Sequence, residues 1–396
     1  MTELYSRRSF LAGVLTAGTL SAAAGYVLTR RESVQLTLAS GVDPTGGRRL
    51  LVTMWNELNP DARIELKEVN SSTRDQYDTF LGTNADIFNL DVIHIPRFAA
   101  DGRIVPITPR GELQLLPNVR RLSARTGTDD FWGLPFNTDV GMLYRRITDK
   151  SVADEKPELA DVLARSPGDF VGQLRTVGPQ TDEAFVINVL EHALAQDEAI
   201  LTADGTLSFS LGQWREAVGP LAAAIKAKRV RTEAGEDYTT RTFQRSDLRY
   251  MRNWPRSYPA IDRAERTKKE TAEVRIGGLP IGIIGGQSLA VSAASANQDA
   301  ARAAIHFLTS ASSQLHLAKY GFAPTGLGAY IDPGLSEALP HLYDIRLAME
   351  SARPRPVHKR YTEFSQLFAD HMRRYLHEGE PLTQRFIEDL QGALRE

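Results

Sequence analysis

The passage Val274–Thr325 limits what this chain can fold into more than any other. Two short apolar runs, Val274–Ile276 and Ser288–Val291, flank a glycine-rich passage, and an alanine-rich segment follows that closes on Gly321 and Pro324. Apolar Ala300, Ala303, Ala304, Phe307 and Leu308 recur at spacings of three and four, which predicts a helix over Gln298–Leu308 with one buried stripe. Asn297 stands at the N-cap position, and Asp299 lies in the first turn, where the helix dipole favours negative charge. The pair Gly285-Gly286 lets a backbone bend, or pass close to another, between strand-like runs.

Earlier in the chain, Val34–Ala39 alternates apolar and polar residues, a strand by its period of two. The turn-rich Ser40–Gly47 leads into a helix carrying Leu50, Leu51, Met54, Trp55 and Leu58, which Pro60-Asp61 ends. Ile64–Val69 is a second strand, a polar helix lies around Arg74–Leu81, and Asp86–Ile95 is a nearly continuous apolar run, as expected of a strand covered on both faces. This alternation predicts an α/β lobe with a mainly parallel sheet. The loop Ser40–Gly47 lacks the spacing of phosphate-binding motifs, so it is either a plain tight turn or a ligand loop with Asp43 and Thr45 as contacts. Between Ile147 and Arg252 the pattern turns helical, with Ala160–Leu163, Phe170–Val177, Ala184–Leu194 and Trp214–Ala227 at helical spacing. Glu191-His192 and Asp197-Glu198 show no His-x-x-x-His pairing and read as a solvated helix face. Neither a metal nor a cofactor is expected.

Four more passages matter in combination: NLDVIHIPRFAADGRIVPI from Asn89, FWGLPFNTDVGMLYRR from Phe131, YMRNWPRSYP from Tyr250 and ARPRPVHKRY from Ala352. With Val274–Thr325 they resemble, in the same order, the blocks of bacterial extracellular solute-binding proteins, the trehalose- and maltose-type sugar receptors of ABC importers. The resemblance covers nearly everything from Val34 onward. It implies two α/β lobes in a periplasmic-binding-protein-like fold, with hinge crossings near Asp139–Arg145 and Ile284–Gln287. The lobes it implies are residues 32–140 plus 286–312 and residues 141–285 plus 313–396.

By the same resemblance Asp91, Asp139 and Tyr144 face a sugar cleft, Trp254 stacks on the sugar with Tyr258 second, and Tyr361 lines the second-lobe side. Carboxylates accept hydrogen bonds from adjacent hydroxyls, and a ring covers the apolar face of a pyranose. Gly286 and Gln287 fall where the family continues its glycine pair with a tryptophan, so one stacking platform is replaced by an amide. Read from the residues alone, Asp91 could equally be a turn or helix cap, and Trp254 an ordinary core residue.

Composition bounds the rest. The chain of 396 residues carries 47 basic and 49 acidic residues and no cysteine. The mild negative balance argues against nucleic acid as a partner, and the missing thiols exclude disulfides, cysteine nucleophiles and a lipid-modified N-terminal cysteine. Ser6-Arg7-Arg8-Ser9-Phe10-Leu11 precedes a weakly hydrophobic run to Leu28, the pattern of a twin-arginine export signal, with Ala22-Ala23-Ala24 as a cleavage site. Alternatively the run from Phe10 to Leu28 is a short membrane anchor flanked by Arg30-Arg31; either way the folded part lies outside the cytoplasmic membrane. The expectation is a monomeric, non-catalytic binding protein that delivers a small ligand, a carbohydrate, to an ABC permease by cleft closure. The competing classes are an exported glycoside-active enzyme and a membrane-associated ligand-binding or scaffold protein not coupled to transport.

Overall fold

The computed structural model describes residues 33–69, 73–111, 114–148, 157–164, 168–176, 183–268 and 272–395. The expected export signal lies outside the described residues. The strands are β1 (Val34–Gly41), β2 (Ala62–Val69), β3 (Ile87–Asp91), β4 (Ile104–Val105), β5 (Leu134–Val140), β6 (Met142–Ile147), β7 (Phe170–Gly172), β8 (Val230–Thr232), β9 (Tyr250–Asn253), β10 (Glu273–Gly278), β11 (Ile283–Ser292) and β12 (Arg353–Pro354). They form two sheets with helices around them, ordered β12-β11-β3-β1-β2 and β10-β6-β9-β7-β8, with β4 and β5 also paired to β11. In the first sheet β1 runs parallel to β2 and β3, while β11 runs antiparallel to β3 and β5.

Local chemistry accounts for the first lobe. The helix Gly47–Leu58 opens at Gly46 in the left-handed region (φ 80°) and buries Leu51, Val52 and Trp55. With Leu36, Leu38 and Ile64 these form a core cluster that the helix Gln298–Leu308, packed beside the first helix, completes. That helix forms over the expected residues, but its most buried positions are Ala301, Ala304, Ile305 and Leu308, with Ala300, Ala303 and Phe307 only partly covered. Asn297 is its N-cap residue, without a side-chain cap bond.

Some expectations shift. Strand β3 stops at Asp91 because the Asp91 carboxylate accepts a bond from Ile93 N and starts a tight turn, after which Ile95–Ala100 is helical. Within the expected helix Phe170–Val177, Phe170–Gly172 is instead strand β7, between β8 and β9. A strand of three residues is too short to display a period. Glu191 and His192 are not on a solvated face either, because the helix Glu183–Leu194 is buried at every position.

Among the described residues the chain passes between the lobes three times. Gly141 alone separates β5 from β6, and Leu279–Gly282 joins β10 to β11. After β12 the chain leads into the helix Tyr361–Arg373, whose Tyr361, Phe364 and Phe368 belong to the second-lobe core. The second crossing therefore precedes Ile284–Gln287, which lies within β11. A further apolar cluster links the lobes, running from Leu90 and Phe98 through Val140, Met142 and Tyr144 to Phe243 and Met251. The helix Ala311–Lys319, placed by sequence with the second lobe, packs on the first: Gln314 Nε2 donates to Phe136 O at 2.7 Å, and Leu317 joins the first-lobe core.

Gly285 and Gly286 lie inside β11 rather than between strands. Gly286 has φ 133° beside a register shift, and a β-carbon there would run into Asn137 O and Thr138 Cα. Gly286→Ala should lower unfolding free energy by about 1–3 kcal/mol, read from urea melts. An unchanged midpoint would contradict the placement.

Candidate ligand-binding cleft

The floor of the seam between the lobes is polar. Asn89 on β3, Asn137 on β5 and Gln287 on β11 gather around Arg48, which reaches in from the first helix. The Arg48 guanidinium donates to Ser40 Oγ (3.2 Å), Gly41 O (3.3 Å), Asn137 Oδ1 (3.2 Å) and Gln287 Oε1. All four acceptors are uncharged, so burial pulls its pKa down to about 10 against the pull of Asp43. Gln287 also accepts from Asn89 Nδ2 at 3.2 Å, so the amide that stands where the resemblance expects an indole holds this floor together.

Above it lies a charged cluster built across the seam. Arg355, just past β12, donates to Asp91 Oδ1 at 3.3 Å and to Glu183 Oε1 at 2.8 Å, tying the end of β3 to a second-lobe helix. Glu183 also accepts from the Tyr361 hydroxyl (2.5 Å) and from Ser365 Oγ (2.7 Å). Asp139 sits over Gly285, where a β-carbon would strike its carboxylate and crowd the Arg355 guanidinium. Among the described residues no hydrogen-bond partner takes the Asp139 carboxylate. Burial first, and the neighbouring Asp91 next, push its pKa up to about 7, with Arg355 opposing.

The second-lobe wall centres on β9. The Arg252 guanidinium lies 3.9 Å from the Trp254 ring centroid and is held by Glu191, so one face of the indole is taken. Trp254 is only 7% exposed and belongs to the second-lobe core. Arg256, next along, pairs with Glu236 at 2.5 Å.

The expected residues thus meet different fates. Asp91, Asp139, Gly286 and Gln287 come together along the ends of β3, β5 and β11. Asp43 and Thr45 spend their side chains on the helix start: Asp43 accepts from Thr45 N and Arg48 N at 2.9 Å each and from Thr45 Oγ1 at 2.6 Å. Tyr144 is fully buried and donates to Trp254 O at 2.5 Å, supporting the wall from behind. Tyr258 lies against His341, ring centroids 4.1 Å apart, with its hydroxyl donating to Val274 O. Tyr361 is buried beside Arg355. Sequence reading passed over Arg48, Asn89, Asn137, Glu183, Arg252 and Arg355, and read Glu191 as solvated. Arg252 and Arg355 stood inside the quoted blocks, but a charge in a block does not say which lobe it grips.

Comparison with known proteins gives this geometry a family. The profile of bacterial extracellular solute-binding proteins matches residues 51–342. The chain belongs to that family. A Deinococcus radiodurans protein described as "Probable ABC transporter-binding protein" is 30% identical over 148 residues, a match that spans 35% of each chain. Among solved structures, maltose-bound MalE3 of T. maritima superposes with a TM-score of 0.78 at 23% identity, covering 91% of this chain and 99% of that one. The GacH receptor of Streptomyces glaucescens, solved unliganded and with acarbose, gives 0.75 at 15% identity, covering 91% and 98%. UgpB of Mycobacterium tuberculosis with glycerophosphocholine gives 0.71 at 12% identity, covering 91% and 98%. At these identities the likeness establishes the two-lobed fold. Family membership implies an exported protein, and among the described residues no helix is long and apolar enough to cross a membrane.

Two outcomes follow from the charges. Arg355→Ala leaves Asp91 and Glu183 without their shared cation and should cost about 3–5 kcal/mol in urea melts; a loss below about 1 kcal/mol would make the bridge a surface-like pair. For Asp139 the sign is set by a raised folded-state pKa. The folded carboxyl keeps its proton where the unfolded one has lost it, so its contribution falls as pH rises from about 4 to about 7. Asp139→Asn should flatten that part of the stability–pH curve and be neutral or stabilising at pH 8, and an unchanged curve would count against it.

Proposed function

We propose that this chain captures a small polyhydroxy solute, a carbohydrate, in the seam between its lobes and presents it to an ABC permease. One observation carries the location: Asp139 offers a carboxylate without a hydrogen-bond partner among the described residues, at the junction of the lobes, beside the Asp91–Arg355 pair. Sugar hydroxyls are donors of the kind such a carboxylate lacks, and they would return to it the stabilisation that burial removes. Gln287 and Asn137 add amides on the first-lobe side, and Trp254, backed by the buried Arg252, forms the wall on the second. The maltose and acarbose complexes of structurally similar proteins support a sugar as the guest.

Contacts from both lobes make the guest a closing agent. It binds the closed arrangement better than the open one by the contacts only closure completes, and a permease that reads the closed form then distinguishes loaded from empty receptor. In this reading the export signal delivers the receptor to the outer face of the membrane, and the receptor acts as a monomer.

Titration with maltose, trehalose and glycerol-type polyols, followed by tryptophan fluorescence, tests the proposal. The chain has four tryptophans, so the Trp254→Phe variant identifies which part of a signal is local. A saturable change that Trp254→Phe abolishes and Asp139→Ala weakens at least about tenfold, the loss of about 1.4 kcal/mol, supports the reading. Silence across all of these solutes, with no thermal shift, overturns the carbohydrate assignment.

A further inference from the structure

The helix Glu183–Leu194 stands apart in this fold. All its residues are buried, yet two are carboxylates, and both grip the connections between the lobes rather than their own lobe's surface. Near its start Glu183 holds Arg355 at the third crossing, together with Tyr361 and Ser365. Two turns later Glu191, about 12 Å along the helix axis, reaches the other two crossings at once. Its Oε1 accepts from Ile283 N at 3.2 Å, where the chain enters β11. Its carboxylate also fills the space beside Gly141, where any β-carbon would collide with it. Its Oε2 takes Arg252 Nε at 2.6 Å, with neither side chain exposed to solvent.

The two crossings touch as well. A β-carbon on Gly282 would run into Val140 Cγ2. Glycine at 282 lets the two connections come into direct contact, and glycine at 141 leaves the place that Glu191 fills. Arg252 adds the last link: Gln173 Oε1 accepts from its Nη1 at 3.2 Å, its own carbonyl accepts from Gln173 Nε2 at 3.1 Å, and its guanidinium covers Trp254.

We propose that Glu191 is a positioning residue that couples the Trp254 wall to the angle between the lobes. Any rotation about Gly141 and Gly282 must move the backbone that Glu191 holds, and Glu191 moves the guanidinium lying on the indole. A carboxylate closed off from the solvent surface has few alternative partners, so the linkage exchanges between discrete arrangements instead of stretching. This deepens the reading of the seam as a ligand cleft and rests on it only for the role of Trp254; the coupling itself is a property of the empty protein.

The absence of cysteine lets the test be done without ligand. The substitutions Glu65→Cys on β2 and Glu216→Cys on the helix Leu211–Lys226, both exposed, place one spin label on each lobe. Interlobe distance distributions are then compared for the full chain, for Glu191→Gln and for Gly141→Ala. Glu191→Gln keeps an acceptor for Ile283 N and removes the charge held by Arg252, while Gly141→Ala keeps the charge and displaces it. Both should shift or broaden the distribution by more than about 2 Å and change the fluorescence that Trp254→Phe removes, with a cooperative melt retained. Unchanged distances in both variants would overturn the coupling while leaving sugar binding untouched. Loss of cooperative folding in both would also overturn it, making Glu191 a packing charge only. Altered distances in a protein that binds no sugar would keep the coupling and remove the ligand assignment.

Discussion

Everything in this molecule depends on how two sheets are held together by very little chain. Gly141 and Leu279–Gly282 are short, stripped of side chains where they meet, and pressed against each other. Joints that short fix where the lobes sit, and any rotation about them must also shift the apolar cluster from Leu90 through Val140 and Tyr144 to Met251. Burying Glu191 at that contact makes the joint specific. An unpaired carboxylate there would be costly; Arg252 meets its need from within the second lobe, and Ile283 N meets it from the first residue of β11 in the other sheet.

The same logic runs through the cleft. Arg355 is paired only when Asp91 of the first sheet and Glu183 of the second lobe are both near it. Arg48 is held by neutral acceptors from three strands of one lobe, and therefore serves as a rigid floor. Asp139 is the exception, a carboxylate without a hydrogen-bond partner among the described residues beside a cross-lobe ion pair, and the proposed guest rich in hydroxyls rests on that contrast.

Much of the architecture could be read from the chain. Alternating strand and helix patterns from Val34 to Ile95 identified an α/β lobe, because a burial period repeats often enough there to be seen. The order of the aromatic and glycine blocks pointed to the family, and the profile match over residues 51–342 bears this out. The helical spacing of Phe170–Val177 misled, because β7 is three residues long and is held as a strand by β8 and β9 on either side. Glu191 misled in another way: a charge on a helix is normally solvated, and only the closing of the crossings around it buries it.

The sequence by itself determined the class of fold and the helix Gln298–Leu308, since these rest on periodicity and on local backbone preference, while Asp91, Asp139 and Gln287 were grouped only by the resemblance to a family. Tertiary structure alone decided that Asp43 and Thr45 cap a helix, that Tyr144 and Tyr361 brace walls from inside, and that Arg48, Arg355, Arg252 and Glu191 hold the seam. The physical reason is the range of the interaction. Backbone preference and apolar period act over a few residues, whereas a buried charge takes its partner from wherever the fold brings one, 264 positions away for Asp91 and Arg355, and no spacing records that choice.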